Sequence, residues 1–172
     1  MMGLITIIMV ANLKLYFLKD SSDLLVRISP EKSANSLILY YSFGGTKWDS
    51  IEAHFVGTHF DAVITPPETI SVAGFYYKYN GNIDDNKGEL YLFEVNKSPR
   101  MILPLSFNYL ATVLKQARKK AMSKTHIDEA ITIINYVEKT LNIIPYKNGS
   151  EQELKINILL NEVIELKELV VR

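Results

Sequence analysis

Between Leu13 and about Val95, apolar and polar residues alternate in short stretches, a pattern that predicts half-buried strands. Leu13, Leu15 and Phe17 alternate with Lys14 and Tyr16; Leu24, Val26 and Ile28 alternate with Leu25 and Arg27. Asp20-Ser21-Ser22-Asp23 supplies the turn between them. Leu37 to Phe43 is an unbroken apolar and aromatic run, which predicts a central strand buried on both faces. Gly44-Gly45 ends it, and Trp48 follows. Ile51–Val56 and Phe60–Ile64 flank Gly57-Thr58, and Thr65-Pro66-Pro67-Glu68 breaks the pattern before Thr69–Tyr79 and Glu89–Val95. About seven or eight short strands at intervals of roughly 8–12 residues predict a β-sandwich or barrel.

Asn96-Lys97-Ser98-Pro99 marks a change of periodicity, and after Pro104 the spacing is helical. Phe107, Leu110, Ala111, Leu114, Ala117 and Ala121 share one helical face, with Ser106 placed as the cap. Thr125 is placed to cap a second helix with apolar residues Ile127, Ala130, Ile131, Ile134, Val137 and Leu141. Its first turn holds Asp128 and Glu129, the charge sign the helix dipole favours there. Ser150 and Glu153 form the capping box of a third helix, in which Ile156, Leu159, Val163, Leu166 and Val170 follow a heptad seam. The expected organisation is a β-sandwich over residues 1–97 and a helical extension over 98–172. That extension either packs on the sandwich or associates with a second copy through the seam.

Phe75 to Phe93 predicts two aromatic strands joined by a loop of Asn, Asp, Gly and Lys. Asn80, Asn82 and Asp84 present oxygens at alternate positions, as calcium loops do. The twelfth position is Tyr91, however, and no helices flank the loop, so an EF-hand is excluded.

Composition narrows the function classes. The 172 residues are 48% hydrophobic and 22% charged, proportions of a globular chain. Nineteen Lys+Arg balance nineteen Asp+Glu, so no overall field attracts nucleic acid. Lys115, Arg118, Lys119, Lys120 and Lys124 are the one basic concentration and read as a solvated helix face. There is no cysteine, which excludes disulfides, thiolate metal sites and cysteine nucleophiles. The apolar start lacks a basic leader and is interrupted by Asn12 and Lys14. It reads as a strand, or as residues upstream of a start at Met9, and a cytoplasmic protein without a membrane span is expected.

Catalytic signals are sparse. His54, His59 and Asp61 lack a further clear ligand to complete a metal site, and no G-x-S-x-G turn or phosphate-binding glycine loop is present. No enzyme activity, metal or cofactor is expected.

Gly81-Asn82-Ile83-Asp84-Asp85-Asn86-Lys87-Gly88, followed by Tyr91, resembles the G-N-W-D-N-N-x-G…Y loop of the starch-binding carbohydrate-binding modules of families 25 and 26. Leu39-Tyr40-Tyr41, followed by Gly44-Gly45 and Trp48, is similar to the I-H-Y strand and G-x-W turn of those families. The resemblance covers roughly residues 13–95 and implies an immunoglobulin-like sandwich that stacks α-glucan rings on a His and two Trp residues. Those positions fall on Tyr40, Trp48 and Ile83, so the loop's scaffold residues are kept while its Trp is replaced. The resemblance implies a glycan site at Tyr40, Trp48, Tyr79, Asn82, Asp84, Asp85 and Asn86. The alternative is a protein-interaction or assembly module, with a partner protein or a second copy docking on the helices.

Overall fold

The computed structural model describes residues 8–10, 12–69, 71–124 and 126–171. Among these are ten strands followed by three helices. The strands are β1 (Ile8–Val10), β2 (Leu13–Phe17), β3 (Leu24–Ile28), β4 (Leu37–Ser42), β5 (Asp49–Phe55), β6 (Phe60–Ile64), β7 (Ser71–Tyr79), β8 (Asn82–Asp84), β9 (Tyr91–Lys97) and β10 (Arg100–Leu105). The helices are α1 (Phe107–Ser123), α2 (Ile127–Leu141) and α3 (Glu151–Val171). The protein is thus mainly β with a helical C-terminal part.

All pairings are antiparallel, in the order β1-β2-β3-β6-β5-β4-β7-β9-β10, with β8 added beside β7. The path is continuous because β5 changes partners along its length. Asp49 to Ala53 pair with β4, while His54 and Phe55 pair with β6. A strand that switches partners turns a corner between two halves of a sheet. The far ends approach as well: β10 lies near β1 and β2. Arg100 Nη1 donates to the carbonyls of Leu18 and Lys19 at 3.2 and 3.1 Å. The sheet is therefore barrel-like and nearly closed, where two separately packed sheets were expected.

Strict alternation builds the interior. Leu13, Leu15, Phe17, Leu24, Val26, Ile28, Phe60, Ala62 and Ile64 point inward, as their spacing predicts. Leu37 and Leu39 join them, but Ile38 is 41% exposed and Tyr40 lies on the outer face. Leu37 to Phe43 is thus not the doubly buried strand expected. That role belongs to β7, which has the helices on its outside and the interior core on its inside.

The segment expected to link sheet and helices contains another strand. β10 pairs with β9 from Arg100↔Lys97 to Leu105↔Leu92. Pro104 is tolerated because β10 ends the path, where an edge position needs no second ladder donor.

The helices cover the outer face of β7, β9 and β10. Val72, Tyr76, Leu92 and Leu105 pack with Phe107, Leu110 and Leu114 of α1, with Ile134 and Val137 of α2, and with Ile156 and Leu159 of α3. Ser106 caps α1 as expected, accepting from the Tyr109 amide at 3.1 Å. Ile131, expected on the apolar face of α2, is 38% exposed. Thr125 lies outside the described residues, and His126 occupies the N-cap of α2. Ser150 accepts from Glu153 N at 3.3 Å, whereas Glu153 reaches back to Gly149 N at 2.6 Å. The α3 seam is spent within the chain. Ile156, Leu159, Val163 and Leu166 are buried and Val170 partly so, which removes them as an association surface between copies.

Candidate binding site

The residues that the resemblance singles out fall into three environments, because strand parity separates them. Tyr40 on β4 pairs with Tyr76 on β7, and both rings face outward. They stack at 4.6 Å between centroids with 5° between planes. Trp48, just before β5, meets the same Tyr76 ring edge-on at 5.3 Å. Tyr76 thus joins the two positions, Tyr40 and Trp48, into one aromatic cluster.

The connection between α2 and α3 completes this cluster. Tyr146 N donates to Gly45 O at 3.0 Å, and Trp48 Nε1 donates to Tyr146 O at 3.1 Å. Pro145 seats against Gly74, where a β-carbon would lie 3.0 Å from the proline ring. The absent side chain lets this loop lie flat on the sheet. Lys147, next in sequence, places its ammonium 3.6 Å above the Tyr76 ring centroid. Lys78, two residues along β7 on the same face, holds its ammonium 5.0 Å above Tyr40. Burial pushes the Lys147 ammonium below the usual lysine range; Asp85 opposes this and Lys78 adds to it.

Tyr79 lies on the other face of β7. It is buried in the interior, 5.7 Å from the Tyr77 ring, away from Tyr40 and Trp48. Asp84 is also turned inward. Its Oδ2 accepts from Tyr77 Oη at 2.6 Å and its Oδ1 from Tyr91 Oη at 2.8 Å and from Asn86 N at 3.1 Å. Burial pushes its carboxyl up, but the donated bonds from Tyr77, Tyr91, the Asn86 amide and Asn12 outweigh that and hold it below the ordinary range.

The rest of the loop is a self-bonded scaffold. Asn80 and Gly81, both with positive φ, form the two-residue turn from β7 to β8, a type I′ geometry suited to Asn-Gly. Asn86 Nδ2 donates to Leu90 O at 2.9 Å, and Asp85 Oδ1 accepts from Gly88 N at 2.9 Å. Asn82 and Ile83 are exposed on β8. Of the loop's side chains, Asp85 is the one whose charge reaches Lys147. A cavity of about 310 Å³ is lined by Asn86, Tyr91, Leu92, Pro104, Leu105, Ser106 and Tyr109.

Tyr76, Lys78 and Lys147 are members that sequence reasoning missed. For the first two a signal existed, since even positions of β7 share the face that Tyr40 occupies. Lys147 had none, because a loop between two helices carries it to the sheet.

Elsewhere, His54 and Asp61 pair across β5 and β6, and His59 Nε2 lies 3.4 Å from Asp61 Oδ2. Asp61 is already held by Arg27 Nε and Nη2, each at 2.9 Å, and these bonds pull its carboxyl below the ordinary range. On α1, Arg118 pairs with Glu165 and Lys120 with Glu129, so part of the basic concentration is neutralised within the helical layer.

No protein-family model matches the chain, and no curated protein sequence matches it.

Proposed function

We propose that the chain is a non-catalytic binding module for a glycan, with an α-glucan as the first ligand to test. The observation that carries this reading is the convergence of Tyr40 and Trp48 on Tyr76. The resemblance to starch-binding modules assigns platform roles to these two positions, and they share the outer face of the sheet. A pyranose ring has an apolar C–H face that stacks on an aromatic plane, while its hydroxyls take polar partners such as Asp85 and Lys78 at the margin. The immunoglobulin-like sandwich of that family belongs to the same proposal. It draws support from the division of β5 between two partners, which lets a nearly closed sheet be described as two layers.

Trp48 is the single tryptophan, so its fluorescence reports the site directly. Titration with maltoheptaose is expected to change its intensity or wavelength at millimolar sugar, and Tyr40→Ala is expected to abolish the change. A flat titration of the unaltered protein would sink the glycan reading.

The second reading, a protein-interaction module, draws on a different surface. Leu154 and Ile158 lie one turn apart on α3 and are 59% and 56% exposed. Sedimentation of the full chain tests self-association through them: a concentration-dependent shift removed by Leu154→Glu supports it, and a monomer at all concentrations counts against it.

A further inference from the structure

The aromatic cluster carries more positive charge than a neutral sugar would use. Lys147 and Lys78 stand over the Tyr76 and Tyr40 rings at 3.6 and 5.0 Å, and those rings are stacked on each other. Each ring of the stacked pair thus carries one ammonium. Among the described residues, neither forms an ion pair within 4 Å. Asp85 acts on Lys147 from farther off, and one of its oxygens is engaged by the Gly88 amide. Two like charges, with the carboxylate of Asp85 acting on Lys147 from beyond ion-pair distance, leave an unbalanced positive site beside Trp48. Burial of Lys147 makes that imbalance costly, and an incoming anion would relieve it. Lysine suits this role because its ammonium is a compact point charge with three donors that adapt to several oxyanion geometries.

We infer that the ligand of this site is an anionic saccharide, its pyranose ring on Tyr40 and Trp48 and its phosphate, sulfate or carboxylate between Lys78 and Lys147. This rests on the glycan reading and deepens it. A neutral glucan satisfies the rings and leaves the ammoniums unpaired; an acidic one satisfies both.

Calorimetric titration at low salt separates the possibilities. The probes are maltoheptaose, a phosphorylated maltooligosaccharide, an oligogalacturonate, a sulfated heparin hexasaccharide and inorganic phosphate. At least one acidic saccharide is expected to bind about tenfold or more tightly than maltoheptaose, the scale of a hydrogen bond to a charged group. Its affinity should fall as salt rises. Lys78→Gln and Lys147→Gln are each expected to reduce the preference for acidic over neutral sugar. Lys78 is exposed, so that variant folds even if Lys147→Gln does not. The acidic arm that binds best identifies the anionic group. Equal affinity for neutral and acidic sugars overturns the inference and leaves the glycan reading standing. Binding of phosphate as tight as any saccharide overturns the saccharide assignment, and no binding of any probe overturns both.

Discussion

The Tyr77 hydroxyl donates to Asp84 Oδ2 at 2.6 Å, between residues that the β7–β8 register already places opposite one another. Tyr91 donates to the other oxygen from β9, so one carboxylate ties three strands together at the root of the loop. Replacing Asp84 by Asn removes the charge from both contacts and leaves one hydroxyl facing an amide donor where it had an acceptor. It is expected to cost about 1–3 kcal/mol at neutral pH. The folded-state pKa of Asp84 is depressed, so the unfolded chain binds its proton first as pH falls. The contribution is fully present above the ordinary aspartate range near about pH 4 and is lost as pH falls through the lower folded value. Urea melts at pH 7 and pH 3 should therefore show a gap between the native chain and Asp84→Asn that narrows in acid. An equal gap at both pH values would refute the role.

The same hydroxyls set the alkaline limit. Burial, reinforced by the Asp84 carboxylate, pushes Tyr77 and Tyr91 well above the usual tyrosine range. Burial and Glu94 push Tyr136 up to about 12. In each case the folded state holds its proton more tightly. The associated stability is complete below the unfolded value near about pH 10 and disappears as pH rises through the folded values. Ultraviolet titration should show a delayed class of tyrosines that ionises together with unfolding, and Tyr136→Phe should remove one member. Smooth ionisation of all tyrosines near the ordinary value, with the fold intact, would contradict this.

How far the sequence could be read depends on whether each signal was local. The inward residues of β2, β3 and β6 are spaced by two and were readable directly, as was the Ser106 cap. Leu37 to Phe43 misled because an apolar run does not say which faces are covered; Ile38 is bare where the helices do not reach. β10 was hidden by Pro99 just before it and Pro104 within it, which read as a linker although Pro104 is compatible with an edge strand. At the candidate site, Tyr40 and Trp48 stood out as aromatic residues in a motif. Tyr76 differs from Tyr79 only in the parity of β7, and Lys147 arrives through tertiary packing of the helix connection.

That connection rests on Gly74. A β-carbon there would meet Pro145 Cγ at 3.0 Å, Pro145 Cβ at 3.1 Å and Leu92 Cδ2 at 3.4 Å. Its backbone dihedrals are not those of a left-handed residue, so the constraint is space, not conformation. Gly74→Ala is expected to cost about 1–3 kcal/mol by overpacking, and Gly74→Val more. Because Tyr146 directly follows Pro145, displacing the proline is expected to loosen the bond from the Trp48 indole to Tyr146 O, and the Trp48 emission should shift red. A Gly74→Ala protein with unchanged melting and emission would show that the loop yields freely.

The helical layer is expected to be indispensable to the β part. A chain ended at Lys97 loses β10, so β9 becomes an open edge, and it uncovers Val72, Tyr76, Leu90 and Leu92. Each large apolar side chain returned to water forfeits about 1.5–3 kcal/mol. Four of them amount to much of the roughly 5–15 kcal/mol that holds a domain of ordinary size folded. Arg100 is lost too, and with it the bonds to Leu18 and Lys19 that draw the sheet towards closure. A chain ended at Ser106 keeps β10 and Arg100 but still bares the outer face of β7. The order of thermal stability is therefore expected to be the full chain, then the Ser106 truncation, then the Lys97 truncation. The last should bind a hydrophobic dye and melt without a cooperative transition. Calorimetric scans of the three proteins check the order, and a Lys97 truncation that melts cooperatively near the full chain would overturn it.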